Sequence, residues 1–193
     1  MQLPLNQLET QLDGELFYDD LWRNIYATDA SVYRSLPTAV AYPRTKKDIK
    51  TLIEFASTHN TSLIPRTAGT SLAGQVVGTG IVVDLSKYFT EIGELDKAAM
   101  TIKVQPGVIR DDLNRVLKPH GLFFGPNTST SNRCMIGGMA GNNSSGTTSI
   151  KYGVTRDKII EIRAILSNGS EAVFSEITKA EFHEKMQQES LEG

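Results

Sequence analysis

Two glycine-rich stretches carry the residue types able to hold an anion against main chain. The first, Pro65-Arg66-Thr67-Ala68-Gly69-Thr70-Ser71-Leu72-Ala73-Gly74-Gln75, follows the short apolar run Ser62-Leu63-Ile64 and mixes glycines with small hydroxyl residues. Glycine permits positive φ and close approach of backbone, so successive N–H groups can converge on anionic oxygens, and Thr70 and Ser71 add hydroxyl donors of little bulk. Arg66 at the mouth of this turn can add a charge-assisted hydrogen bond. The chemistry implied is the binding of a dinucleotide diphosphate. The second stretch, Ser129-Thr130-Ser131-Asn132-Arg133-Cys134-Met135-Ile136-Gly137-Gly138-Met139-Ala140-Gly141-Asn142-Asn143-Ser144-Ser145-Gly146, is rich in glycine, asparagine and hydroxyls and almost free of charge. A solvated linker of this length would carry Lys, Glu or Pro. Met135, Ile136 and Met139 instead interleave with the glycines, which predicts a loop packed into the protein, its backbone satisfied by a ligand or by its own side chains.

The elements that must position these loops read as alternating strands and helices. Leu5, Leu8, Leu12 and Leu16 recur at helical spacing, so residues 4–26 are expected to form one or two amphipathic helices interrupted near Gly14. Ala39-Val40-Ala41-Tyr42 reads as a strand ending at Pro43, and Thr45-Lys46-Lys47-Asp48 as a capping box opening a helix that places Ile49, Leu52, Ile53 and Ala56 on one face. A strand then leads into the first loop, and Ile81-Val82-Val83-Asp84-Leu85 is a further β run after it. Met100 to Val104 alternates as a strand, and Pro106-Gly107 turns the chain into a helix bearing Leu113, Val116 and Leu117, stopped by Pro119 and Gly121. Beyond the second loop, Ile159–Leu166 and Glu171–Phe174 flank Ser167-Asn168-Gly169-Ser170, a hairpin signal. The pattern predicts an α+β fold of two α/β lobes with a cleft between them, one glycine loop coming from each. Gly69 to Gly74 lacks the Gly-x-Gly-x-x-Gly spacing of a Rossmann unit.

Composition narrows the function. With 193 residues, 39% of them hydrophobic, the chain can bury a core as one domain or two small lobes. A net charge of -2 with mixed signs gives no electrostatic reason for nucleic acid or an anionic membrane as partner, so anion binding must come from local geometry. One cysteine excludes an internal disulfide framework, and histidines scattered at 59, 120 and 183 build no zinc site; no metal is expected. Met1-Gln2-Leu3-Pro4 lacks the features of a secretory signal, and no apolar run approaches the ~20 residues of a membrane span. A cytoplasmic location is expected.

Taken together, Thr28-Asp29-Ala30-Ser31-Val32-Tyr33, the loop from Pro65 to Gln75, and Ser129 to Gly146 followed by Tyr152-Gly153 resemble the FAD-binding domain of the vanillyl-alcohol oxidase and para-cresol methylhydroxylase (PCMH) superfamily. Within it they are most similar to the FAD-linked D-2-hydroxyacid dehydrogenases, the group acting on D-lactate, glycolate and D-2-hydroxyglutarate. The run Leu117 to Pro126, leading into Ser129 to Arg133, is similar to long bacterial members that carry an iron–sulfur oxidoreductase region. The resemblance implies a PCMH-type domain at 35–175, with lobes at about 35–90 and 91–175 and FAD in the cleft; the helical segment falls at 1–34 before it, and the polar tail at 176–193 after it reads as a frayed helix. It further implies cofactor contacts from Arg66, Thr67, Ala68, Gly69, Thr70, Ser71, Gly74 and Gln75 on one side. On the other side it implies Pro126, Thr130, Ser131, Gly137, Gly138, Met139, Gly141, Asn142, Asn143, Ser145, Gly146, Tyr152 and Gly153.

Two departures bear on that implication. Many members have Gly-Gly-Gly-Thr-Ser where this chain has Thr67-Ala68-Gly69-Thr70-Ser71, so Thr67 and Ala68 must sit in ordinary φ space. Members that tether FAD covalently use a histidine where Thr70 stands, and Cys134 does not match the spacing of cysteinyl tethers, so FAD is expected to bind without a covalent link. The resemblance implies hydride transfer from a D-2-hydroxyacid to flavin N5 while a base takes the hydroxyl proton. No histidine here fits that base, and the substrate clamp and metal-binding histidines of the family belong to a cap domain further along, so no catalytic residue is assigned in this chain. After Phe174 the family continues to a glycine-rich strand that finishes the FAD site, whereas this chain runs into polar residues, so it reads as the FAD-binding portion of a larger dehydrogenase, inactive alone, cytoplasmic or membrane-associated within a larger complex. Two other readings stand beside it: a nucleotide-binding or scaffold module without redox activity, and a domain like UDP-N-acetylenolpyruvoylglucosamine reductase.

Overall fold

The computed structural model describes residues 3–191; Met1, Gln2, Glu192 and Gly193, which fall in the two predicted terminal segments, lie outside the described residues. Three parallel strands form the centre. Strands β2 (Ala39–Tyr42) and β4 (Ile81–Asp84) pair in parallel, β3 (Leu63–Arg66) lies on the other side of β4, and β1 (Glu15–Phe17) adds antiparallel to β2. Every residue of β2 and β4 is buried, as the uninterrupted apolar runs of doubly covered parallel strands require. Strand alternation sorts them: Ala39, Ala41, Ile81 and Val83 face Leu8, Leu52 and Phe55, whereas Val40, Val82 and Tyr42 face Tyr26, Trp22, Phe17 and Ile64.

Helix α3 (Lys46–Thr58) crosses from β2 to β3, opened by the predicted capping box. Asp48 at its third position is fully buried, and its carboxylate accepts the N–H groups of Arg44 at 2.8 Å, Asp13 at 2.9 Å and Thr45 at 3.1 Å. Burial alone would raise its pKa, but these three amides and the Thr45 hydroxyl outweigh it and hold the carboxyl below the ordinary range. The same bonds staple the N-terminal segment to the sheet. That segment differs from expectation. Helices α1 (Leu5–Gln11) and α2 (Asp20–Ile25) form, but Leu16, the last of the periodic leucines, sits in β1 and pairs with Ala41, because edge pairing to β2 replaces helical hydrogen bonds after Gly14.

A second cluster follows. Strands β5 (Ile92–Asp96) and β6 (Thr101–Val104) pair antiparallel, and α4 (Arg110–Leu117) packs Leu113 and Leu117 with Val108 against Ile92, Leu95, Ile102 and Val104. Val116, placed by its spacing on that face, is 43% exposed. The second glycine stretch is not wholly a loop, since Ile136–Gly141 forms the short helix α5 and Ser149–Tyr152 forms α6. Strands β7 (Glu161–Ile165) and β8 (Glu171–Ser175) make the expected hairpin, turned by Gly169 at φ +80°. Within the tail, Lys179–Met186 forms a helix, α7, as expected there, with Thr178 and Glu181 closing its capping box.

Candidate functional site

The first loop leaves the carboxyl end of β3 and returns to the neighbouring β4, the end of a parallel sheet where ligands bind in open α/β folds. Gly69 and Gly74 adopt φ of +64° and +68°, values that the tight turn needs and that other residues resist. Thr67 and Ala68 keep ordinary φ. Among the described residues, the N–H groups of Ala68, Gly69 and Thr70 donate to no protein acceptor, so three consecutive donors remain for an anion. Ser71 Oγ donates to Gln75 Oε1 at 2.7 Å and accepts from Ala73 N at 3.1 Å, which closes the turn on itself.

The Thr28–Tyr33 segment braces this loop. Ala30 N donates to the Gly69 carbonyl at 3.2 Å, and the Tyr33 ring lies where a β-carbon at Gly74 would stand. Arg66 turns toward the brace: Nη1 donates to the Thr28 carbonyl at 2.9 Å and Cζ lies 4.8 Å from the Tyr26 ring centroid. Asp29 Oδ1 accepts from Ser31 N at 2.8 Å, while Oδ2 is buried without a protein partner among the described residues.

In the second loop, α5 is anchored by two bonds that its own helix cannot provide: Ile136 N donates to the Val108 carbonyl and Gly137 N to the Pro106 carbonyl, both at 2.9 Å. A β-carbon at Gly137 would run into Pro106, and one at Gly146 would run into the Asn127 carbonyl, so these glycines serve close packing. Met139 is buried with Cys134, whose Sγ lies 3.6 Å from its sulfur; Pro126 is fully buried, its carbonyl accepting Arg110 Nε at 3.1 Å. Thr130 and Ser131 shape the turn before α5: the Thr130 carbonyl accepts Cys134 N at 2.7 Å, and Ser131 Oγ donates to Asp111 Oδ2 at 3.1 Å. Asn143, at φ +47°, accepts Arg156 N at 3.0 Å. Tyr152 stands against Gly125 and edge-on to Phe123, and Gly153 turns at φ +78° over Asp157. Gly138, Gly141, Asn142 and Ser145 are exposed.

Two contacts join the loops. Gln75 Nε2 donates to Asn142 Oδ1 at 2.8 Å across the gap, and a β-carbon at Gly138 would stand 2.8 Å from Thr67 Oγ1. The turn carrying the free amides of Ala68 to Thr70 therefore lies beside α5, where Thr67 fills the side of Gly138 and Gly141 has open space. An oxygen-rich anion fits these donors, and the partnerless Asp29 oxygen beside the brace fits a ligand that also carries hydroxyl donors. FAD has both.

Beneath the first loop lies a feature that composition and spacing did not single out. Tyr26, Arg66, Thr67, Ala68, Asp84 and Ser86 line a recess of about 260 Å³. Tyr26 donates its hydroxyl to Asp84 Oδ2 at 2.6 Å and shares a further hydrogen bond with the Tyr42 hydroxyl. Burial, then the Asp84 and Tyr42 hydrogen bonds, push the Tyr26 phenol far above its ordinary pKa, so it stays a neutral donor. Asp84 Oδ1 also accepts Ser86 N at 2.7 Å. The one available signal was an aspartate closing an otherwise apolar strand.

Among the described residues, no hydrogen bond or ring contact links a histidine to either glycine loop. His59 stacks on Phe55 with Nδ1 3.0 Å from the Phe55 carbonyl, His120 ends a 3-10 turn, and His183 lies in α7. Among the described residues no group of three or more His, Cys, Asp or Glu side chains is arranged to hold a metal ion, and no helix is long and apolar enough to cross a membrane.

Comparison with known proteins agrees with the geometry. Residues 37–175 match the family model described as "FAD binding domain". The chain is 41% identical over 169 residues to D-2-hydroxyglutarate dehydrogenase of Haemophilus influenzae, covering 86% of this chain and 16% of that protein. It is 39% identical over 163 residues to glycolate oxidase subunit GlcD of Bacillus subtilis, covering 82% and 35% respectively. Among solved structures, the wild-type BBE-like 1 protein of Physcomitrella patens superposes with a TM-score of 0.75 at 20% identity, over 89% of this chain and 37% of that one, and shares its fold. The chain thus spans about a sixth of the length of the dehydrogenase and about a third of the oxidase subunit.

Proposed function

The chain belongs to the FAD binding domain family, and on that premise we propose that it is the cofactor-holding part of a flavin dehydrogenase that oxidises a D-2-hydroxyacid. The observation that carries this reading is the junction of the two glycine loops through Gln75 and Asn142, which sets the turn with the three free amides of Ala68 to Thr70 beside α5. Similarity to enzymes named for D-2-hydroxyglutarate and glycolate supports the substrate class.

When bound, FAD supplies the hydride acceptor. The work of this chain is to hold and orient it. Amides 68–70 donate to the diphosphate, aided by the Thr70 hydroxyl, while Gly141, where a β-carbon would meet nothing within 4 Å, leaves room for close approach. Thr70 offers no nucleophilic ring nitrogen, and Cys134 is buried against Met139, so the flavin is held without a covalent bond. None of the three histidines makes a hydrogen bond or ring contact with the loops among the described residues. The base and substrate clamp therefore lie on a cap outside these residues, and an iron–sulfur region elsewhere in the full-length protein would take the electrons onward. The chain alone should then bind FAD yet leave D-lactate, glycolate and D-2-hydroxyglutarate unoxidised, because losing a positioned base removes about 10²–10⁴-fold in rate. Anaerobic mixing of the FAD-loaded chain with each acid should leave the oxidised flavin spectrum unchanged. Rapid bleaching would show that the catalytic groups are present here and overturn the division of labour.

A further inference from the structure

Arg66 is the residue of the first loop that reads most readily as a phosphate ligand, yet the structure commits its guanidinium elsewhere. Nη1 donates to the Thr28 carbonyl at 2.9 Å, Cζ packs 4.8 Å from the Tyr26 ring centroid, and a β-carbon at Gly69 would fall 2.5–2.9 Å from Nη2, Cζ and Nε. The planar group is thus lodged between the brace and the backbone of the turn whose amides are free. The Tyr26 ring beneath it is fixed in turn by the hydroxyl bond to Asp84, 3% exposed at the end of β4. We propose that Arg66 is a positioning residue that sets the backbone of the Ala68–Thr70 turn for the diphosphate without touching it, with Tyr26 and Asp84 acting through it. The inference rests on the FAD reading and deepens it by assigning the anion to main-chain amides.

The chemistry of the two basic side chains gives the test. A lysine ammonium is a compact charge that serves well as a phosphate ligand, but it cannot reproduce a flat, stacked group that also forks a hydrogen bond to a carbonyl. A direct ion pair is also screened by salt, so its removal flattens the salt dependence of binding. FAD affinity of the flavin-free chain is measured by fluorescence quenching over a range of NaCl concentrations for the parent, Arg66→Lys, Arg66→Met and Tyr26→Phe, with thermal melting of each protein as the control for folding. Both Arg66 variants should bind FAD more weakly by about tenfold or more, the loss expected for one charge-assisted hydrogen bond. Their salt slopes should equal the parent's. Tyr26→Phe, which keeps the ring and removes only the bond to Asp84, should weaken binding by a smaller factor and also leave the slope unchanged.

Arg66→Lys with parental affinity, or a flatter salt slope in either Arg66 variant, would identify a direct phosphate contact and overturn the proposal. So would parental affinity in all three variants. If Arg66→Met melts early, Arg66→Lys, which keeps charge and stem, decides alone. Failure of the parent to bind FAD would overturn the functional reading itself, an outcome distinct from any difference among variants.

Discussion

Replacing either of two glycines in the second loop by alanine should have opposite consequences. Gly141 ends α5, is exposed, has ordinary φ, and a β-carbon there meets nothing within 4 Å. Alanine at a helical position gains up to about 1 kcal/mol over glycine, which for a chain of this size raises the melting temperature by roughly 2–4 °C. The flavin-free Gly141→Ala protein should therefore be as stable as the parent or slightly more so. If FAD lies against this glycine, the added methyl intrudes on the ligand, and overpacking of that kind costs about 1–3 kcal/mol, a loss of roughly five- to 150-fold in affinity. Gly146 is the control. A β-carbon there runs into the Asn127 carbonyl, a backbone atom that cannot swing aside, so Gly146→Ala should destabilise the chain by about 3 kcal/mol or more whatever is bound. Urea unfolding without FAD and fluorescence titration with FAD separate the two effects. Parental FAD affinity in a stable Gly141→Ala protein would refute the placement of the cofactor against α5.

Asp48→Ala leaves three part-buried N–H groups without an acceptor, that of Thr45 being one half of the capping box, and at about 1–3 kcal/mol for each group a loss of at least about 3 kcal/mol is expected in urea unfolding. Because the folded pKa of Asp48 lies below its unfolded value, its stabilisation is fully present above an unfolded pKa of about 4 and is lost as pH falls toward the folded value. The parent should accordingly lose more stability than Asp48→Ala between about pH 5 and pH 3, and parallel losses would contradict this. Acid precipitation of the FAD-loaded protein should release all flavin to the supernatant, and colour kept in the pellet would reveal a covalent link.

Where local chemistry decides, the residues could be read directly. Strands β2 and β4 are short apolar runs, and Thr45 with Asp48 opens α3 by an interaction three residues long. Tertiary context hid the rest. The leucine spacing that suggests one helical face through Leu16 is broken by pairing of Glu15 to Phe17 with β2, a contact some 25 residues away. Helix α5 is concealed because glycine disfavours helix by about 1 kcal/mol per residue, and bonds from Ile136 and Gly137 to the Val108 and Pro106 carbonyls hold it in place. Strand β5 carries Gly93, Glu94 and Asp96 and shows little β signal. Both glycine loops were legible from composition. That Gln75 meets Asn142, 67 positions on, and that Tyr26 meets Asp84, 58 positions on, depends on how the sheets pack.

Two glycine loops on this chain jointly hold FAD if equilibrium titration of the flavin-free protein with FAD gives saturable quenching of flavin fluorescence at one FAD per chain. ADP should compete for the same amides, and Gln75→Ala with Asn142→Ala should weaken the binding. No saturable binding by the folded protein, or binding that survives both loop substitutions undiminished, would contradict the joint hold.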